Sequence, residues 1–131
     1  MGNSGQQGEK SDPLLKVPQQ PSTCFNCTRL NSTTFQIVED DKWFENPIVY
    51  AKIFAEVLVL IDTGCGGASR DPNVSLRSLR SFIESYEVAD NDNQPLNKGR
   101  VKDYVVICSH CHFDHIGQKQ DIFAHAVLGL Y

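Results

Sequence analysis

The sequence predicts an α/β fold, layered from antiparallel strands, one amphipathic helix and a further buried strand. Three observations carry this expectation. Runs rich in β-branched residues recur at 33–38 (TTFQIV), 48–54 (IVYAKIF) and 57–61 (VLVLI). Leu76, Leu79, Phe82, Ile83 and Tyr86 then follow at helical spacing. A last apolar run, 104–108 (YVVIC), closes the series. Strands, helix, strand is the order of a layered α/β domain.

The elements follow along the chain. Residues 1–22 hold Gly, Gln, Ser, Pro and Lys, with Leu14, Leu15 and Val17 as their apolar content. Such a stretch buries too little surface to offset its ordering entropy, so a disordered tail is expected there. One domain is expected over 23–131, since 131 residues correspond to a single domain. Asn46-Pro47 marks a turn after the first strand. Ala55-Glu56 has the length of a two-residue hairpin loop, and the three strands then form an antiparallel meander. The near-continuous apolar run at 57–61 reads as a strand covered on both faces. Asp62-Thr63-Gly64-Cys65-Gly66-Gly67 breaks it with a tight turn. Asp71-Pro72 has the form of an N-cap followed by a first-turn proline, which places the helix over 72–86. Arg77, Arg80 and Glu84 form its solvated face. The polar stretch 88–100 reads as a loop, and 121–131 as a short helix or strand.

Charge and composition exclude several classes. Twelve Lys and Arg against 16 Asp and Glu leave a net charge of -4, the wrong sign for a phosphate-binding footprint, so no nucleic-acid partner is expected. No apolar run reaches the ~18 residues of a membrane span. The N-terminus shows no cationic and apolar export pattern, and five cysteines make an odd number. Reduced thiols and a cytoplasmic location are therefore expected.

The chemistry concentrates directly after the last strand, in Ser109-His110-Cys111-His112-Phe113-Asp114-His115-Ile116-Gly117. Three of the four histidines fall there with one Asp. Imidazole and carboxylate are the donors of catalytic zinc sites. His110 and His112 alternate by two, so an extended backbone points them the same way. Asp114 and His115 follow after a change of direction and suit a second, neighbouring metal. Two such metals can hold and deliver a hydroxide.

His110-x-His112-x-Asp114-His115 resembles the HxHxDH signature of the metallo-β-lactamase superfamily, and Leu60-Ile61-Asp62-Thr63-Gly64 resembles its earlier strand-end motif. The likeness runs from about Thr33 to Gly117. It implies the N-terminal half of an αββα sandwich with one or two metal ions, usually zinc, other first-row metals being acceptable. By resemblance His110 and His112 bind the first metal, Asp114 and His115 the second. Asp114 is also the catalytic residue of this reading, and Asp62 orients the ligand loop from behind. The implied activity is hydrolysis of an ester, thioester, amide or phosphoester in a small-molecule substrate by a metal-activated hydroxide. Gln118 departs from the family, which has a second Gly there, and the further ligands of the family lie downstream of Tyr131. A truncated half is therefore expected, binding metal weakly and hydrolysing little by itself. The alternatives are an inactive remnant, a metal-binding module without catalysis, or a chain that pairs with another to complete its site.

Other motifs compete for the same residues. Cys108-Ser109-His110-Cys111-His112 spells a c-type haem attachment pattern, disfavoured by the buried strand at Cys108 and by Met1 being the only Met. Cys24-Phe25-Asn26-Cys27 and Cys108-Ser109-His110-Cys111 together have the form of a zinc ribbon. Cys65-Gly66-Gly67 lacks the Lys and Ser/Thr of a phosphate loop and reads as a turn. His125 reads as a surface or core histidine.

Overall fold

A computed structural model describes residues 19–109, 114 and 127–130 of the chain. Its strands are β1 (Phe25–Arg29), β2 (Thr34–Glu39), β3 (Ile48–Ile53), β4 (Val57–Ile61), β5 (Asp103–Cys108) and β6 (Val127–Leu130). One α-helix, α1 (Leu79–Ser85), lies between β4 and β5. The fold is thus α/β with a mixed sheet of six strands, ordered β1-β2-β3-β4-β5-β6. β1 to β4 pair antiparallel, as the meander required. β4–β5 and β5–β6 are parallel.

The hairpin from β3 to β4 turns through Ala55-Glu56, with Phe54 N donating to Val57 O at 2.9 Å. β1 was not expected from the sequence. Its residues FNCTR carry little apolar signal, and the strand is held by its ladder to β2, Phe25 opposite Glu39.

One face of the sheet makes the core. Phe35, Ile37, Val49, Ala51, Leu58, Leu60, Tyr104 and Val106 point to it and meet Leu79, Phe82 and Ile83 of α1. Phe25, Phe82 and Tyr86 add a run of ring contacts, with centroids 5.2 and 4.9 Å apart. Tyr104 reaches through this layer to donate to Glu84 Oε1 at 2.9 Å.

The helix is shorter than the expected 72–86. Its N-cap is Ser78, whose Oγ accepts from Ser81 N, and not Asp71. Asp71 instead caps a local turn, its Oδ1 accepting from Asn73 N. Residues 74–77 are withheld from the helix by tertiary pairing. Leu76 N donates to Ser22 O, and Thr23 Oγ1 donates to Leu76 O. The stretch expected as tail therefore contributes to the fold from Gln20 onward, since Gln20 exchanges two hydrogen bonds with the Glu87 backbone. Residues 1–18 lie outside the described residues. Among the described residues no helix is long and apolar enough to cross a membrane.

Candidate functional site

β4 and β5 run parallel and side by side, so their carboxyl ends open on the same edge of the sheet. That edge is where parallel sheets present their loops to ligands. Asp62 and Ser109 are the first residues beyond these two strands.

Asp62 is buried, at 5% exposure. Its backbone N–H still donates to Ile107 O at 2.8 Å, so it sits one step past the end of the strand on the same ladder. Its φ of 69° then turns the chain away. Asp is one of the few L-residues that adopt this left-handed region at modest cost. The turn aims the carboxylate across to the neighbouring strand. Oδ1 accepts from Ser109 N at 2.6 Å and Oδ2 accepts from Ser109 Oγ at 2.7 Å. This clasp fixes the residue from which His110 departs.

Behind it lies a second carboxylate layer. Glu39 is 1% exposed and receives Cys65 N at 2.9 Å and Gly67 N at 3.0 Å. Burial pushes its carboxyl above the usual range, the two N–H donors offset part of this, and the Asp41 carboxylate adds to it. Asp41 is fully buried and receives Trp43 N at 2.9 Å and Asn46 N at 2.7 Å. Burial works against its charge, but the backbone N–H groups of Asn46, Trp43 and Glu45 outweigh it and hold the carboxyl below the usual range. Cys65 is packed between these groups. Burial, then the charges of Glu39, Asp41 and Asp114, push its thiol far up, which disfavours the thiolate.

The 64–67 turn expected from the sequence is therefore a cradle for Glu39. Gly64 has φ +80°, and a Cβ there would collide with Glu39 Oε1; Gly67 has φ +82°, and a Cβ there would collide with the Arg77 carbonyl. No phosphate-binding role is needed to explain these glycines.

Of the expected metal ligands, Asp114 is described and is half-buried; His110, His112 and His115 lie outside the described residues, as does Cys111 of the haem and ribbon motifs. Among the described residues no group of three or more His, Cys, Asp or Glu is placed to hold a metal ion. Asp62 engages Ser109 through both carboxylate oxygens. Cys24, Cys27 and Cys65 are free thiols. Glu39 and Asp41 were missed by sequence reasoning; the available signal was the run Val38-Glu39-Asp40-Asp41, acids at the end of a buried strand. A separate cavity of 270 Å³ lies between β1 and α1, lined by Phe25, Cys27, Phe82 and Tyr86 among others, and shares no residue with this edge.

No family model matches the chain, and no solved structure matches it. The chain is 47% identical over 95 residues to an Aspergillus versicolor protein named "Putative transcription factor avaE". The match covers 72% of this chain and 28% of that protein, so the chain spans little more than a quarter of its relative's length. A relative named as a regulator overturns the expectation of a zinc-dependent hydrolase. The described residues likewise give the zinc assignment no support.

Proposed function

We propose that the chain is a non-catalytic module of a transcription-regulatory protein. The observation that carries this reading is its 47% identity over 95 residues to a protein named as a transcription factor. The net charge of -4 makes a contact with nucleic-acid phosphates unfavourable, so the module would act through protein or ligand contacts. The test is to fuse the whole chain to an unrelated DNA-binding domain and read a reporter gene. A change in transcription of several-fold is expected. Unchanged transcription, together with ester or thioester hydrolysis that His112→Ala abolishes, would overturn the proposal.

The Asp62–Ser109 clasp favours a second reading, confined to this edge. We propose that the segment after β5 holds a first-row metal ion as a ligand-binding or structural element, without hydrolysis. His110, His112, Asp114 and His115 would be its donors, and Asp62 would orient them. The resemblance of its sequence to the metallo-β-lactamase motifs supports it. Titrating Zn²⁺ into the purified chain tests it. Saturable binding weakened at least tenfold by Asp62→Ala is expected, and an isotherm unaffected by His110→Ala and His112→Ala would sink it.

A further inference from the structure

β1 is an outermost strand of the sheet and pairs on one side only, with β2. In an antiparallel ladder alternate residues turn their N–H and C=O toward the partner strand, and the others turn them away. Asp40 N donates to Cys24 O and Leu30 N donates to Thr34 O, so Asn26 and Thr28 face β2 in the same register. The backbone groups of Phe25, Cys27 and Arg29 therefore face outward. Both ends of this outer edge are engaged: Phe25 N donates to Thr23 Oγ1 at 3.2 Å, and Arg29 N donates to Asp90 Oδ2 at 2.9 Å. Between them, Cys27 N and Cys27 O have no hydrogen-bond partner among the described residues.

These two groups do not lie on open surface. Cys27 is half-buried and lines the 270 Å³ cavity between β1 and α1. Phe82 and Tyr86, whose rings stack at 4.9 Å, and the buried Val88 line the same cavity. The wall that follows α1 is braced. Arg29 Nε donates to Asp90 O at 2.8 Å, and Gln20 exchanges two hydrogen bonds with the Glu87 backbone. The cleft is thus pre-formed, which lowers the ordering cost of filling it.

We infer that β1 takes an extended peptide segment of a partner protein as an added antiparallel strand, with one apolar side chain in the cavity and a Lys or Arg beside it. An unpaired N–H and C=O next to an aromatic cavity meets the needs of strand addition: backbone bonds supply affinity, and the pocket selects the side chain. The peptide residue opposite Cys27 donates its N–H to Cys27 O and accepts from Cys27 N. Residues directly opposite in such a pair put their side chains on the same face. Phe25 lies in the core and Cys27 packs against it, on the side of α1, so this peptide side chain enters the cavity. Charge sets the flanking residue. The lining holds Glu87 and no cation, the exposed Asp90 and Asp92 follow on the same stretch, and the chain's net charge is -4. The inference deepens the reading of the chain as a module that acts through protein contacts, but its test measures binding and not transcription, so either can fail alone.

The test is selection of random eight-residue peptides, displayed on phage, against the full chain, followed by fluorescence anisotropy with the most enriched peptide. Enriched sequences should share an apolar residue with Lys or Arg within two positions of it. Cys27→Pro removes the outward N–H and spares the ladder to β2, since proline is tolerated where an edge strand's N–H faces out. It should weaken binding at least about tenfold, whereas Cys27→Ala, which keeps the N–H, should bind within about twofold of the parent. Methylating the backbone nitrogen of the peptide's apolar residue should weaken binding at least about tenfold as well, and this decides the matter should Cys27→Pro fail to fold. No enriched peptide, or an enriched peptide indifferent to Cys27→Pro and to the methylated amide, would overturn the inference. A chain that dimerises, and whose dimer Cys27→Pro abolishes, would overturn it too by giving the edge to a second copy.

Discussion

Replacing Asp62 separates the two costs that meet at the edge of the sheet. The carboxylate accepts two short hydrogen bonds from Ser109, at 2.6 and 2.7 Å, and the residue is 5% exposed. Hydrogen bonds to a charged group contribute roughly 1.5–3 kcal/mol each, and two that share one carboxylate do not simply add. About 3 kcal/mol is therefore expected for losing the pair. The backbone adds its own cost, because φ is 69°. An alanine there loses roughly a further 1 kcal/mol that a glycine does not. Asp62→Ala should cost about 4 kcal/mol and Asp62→Gly about 3. Asp62→Asn, which tolerates the left-handed backbone and keeps one acceptor, should cost about 1.5. Urea unfolding at neutral pH, with an unchanged slope against denaturant, measures all three. Three variants within about 0.5 kcal/mol of the parent would refute the clasp. Equal losses for Ala and Gly would refute the backbone part alone.

Glycine substitutions should diverge by position. Gly64→Ala and Gly67→Ala place a Cβ against Glu39 Oε1 and the Arg77 carbonyl and should each cost more than about 3 kcal/mol by thermal or urea unfolding. Gly99→Ala, with φ +68° but nothing within 4 Å, should cost only about 1. Glu39 should give the fold a pH dependence. Its carboxyl is raised in the folded state by burial, so its share of stability is full below the unfolded value of 4.5 and is lost as pH rises through the folded value. Glu39→Gln should flatten stability against pH above 4.5, at a cost of roughly 1–3 kcal/mol for the acceptor it removes; a slope unchanged in this variant would contradict that account. Cys24 and Cys27 are pushed up to about 11 and about 12 by burial, then by the charges of Glu39 and Asp90. Site-resolved alkylation at pH 8 should therefore be slower than for a free thiol by about a hundredfold or more and should recover on denaturation; alkylation at the free-thiol rate in the folded chain would show the burial to be wrong.

Asp62 was readable as local pattern, but the groups that support this edge were not. Asp62 stands out because an acid directly after VLVLI and before Thr-Gly must leave the strand. Its partner Ser109 lies 47 residues away, and only the parallel pairing of β4 with β5 brings them together. Glu39 and Asp41 look like surface acids in the run Glu39-Asp40-Asp41. They become buried acceptors because the 64–67 turn and the backbone of residues 43–46 fold onto them. The hydrolase expectation failed for a different reason. It rested on a ligand motif whose histidines lie outside the described residues, and the relative that the chain matches is named as a regulator.

The sequence by itself determined the strands from β2 to β5, the two-residue hairpin at Ala55-Glu56 and the glycine turn after β4. Each is specified by side chains within a few residues of one another: β-branched runs, apolar alternation, and glycines where φ is positive. Tertiary structure decided the rest. It set the start of the helix at Ser78, because Ser22 and Thr23 pair with Leu76 and hold residues 74–77 out of it. It made β1 a strand through a ladder to β2 that FNCTR alone does not announce. It also left Ile48, Tyr50 and Ile61, on the sheet face away from α1, more than a third exposed. Short-range pattern records what a residue prefers, whereas hydrogen bonds between distant segments decide which preferences are honoured.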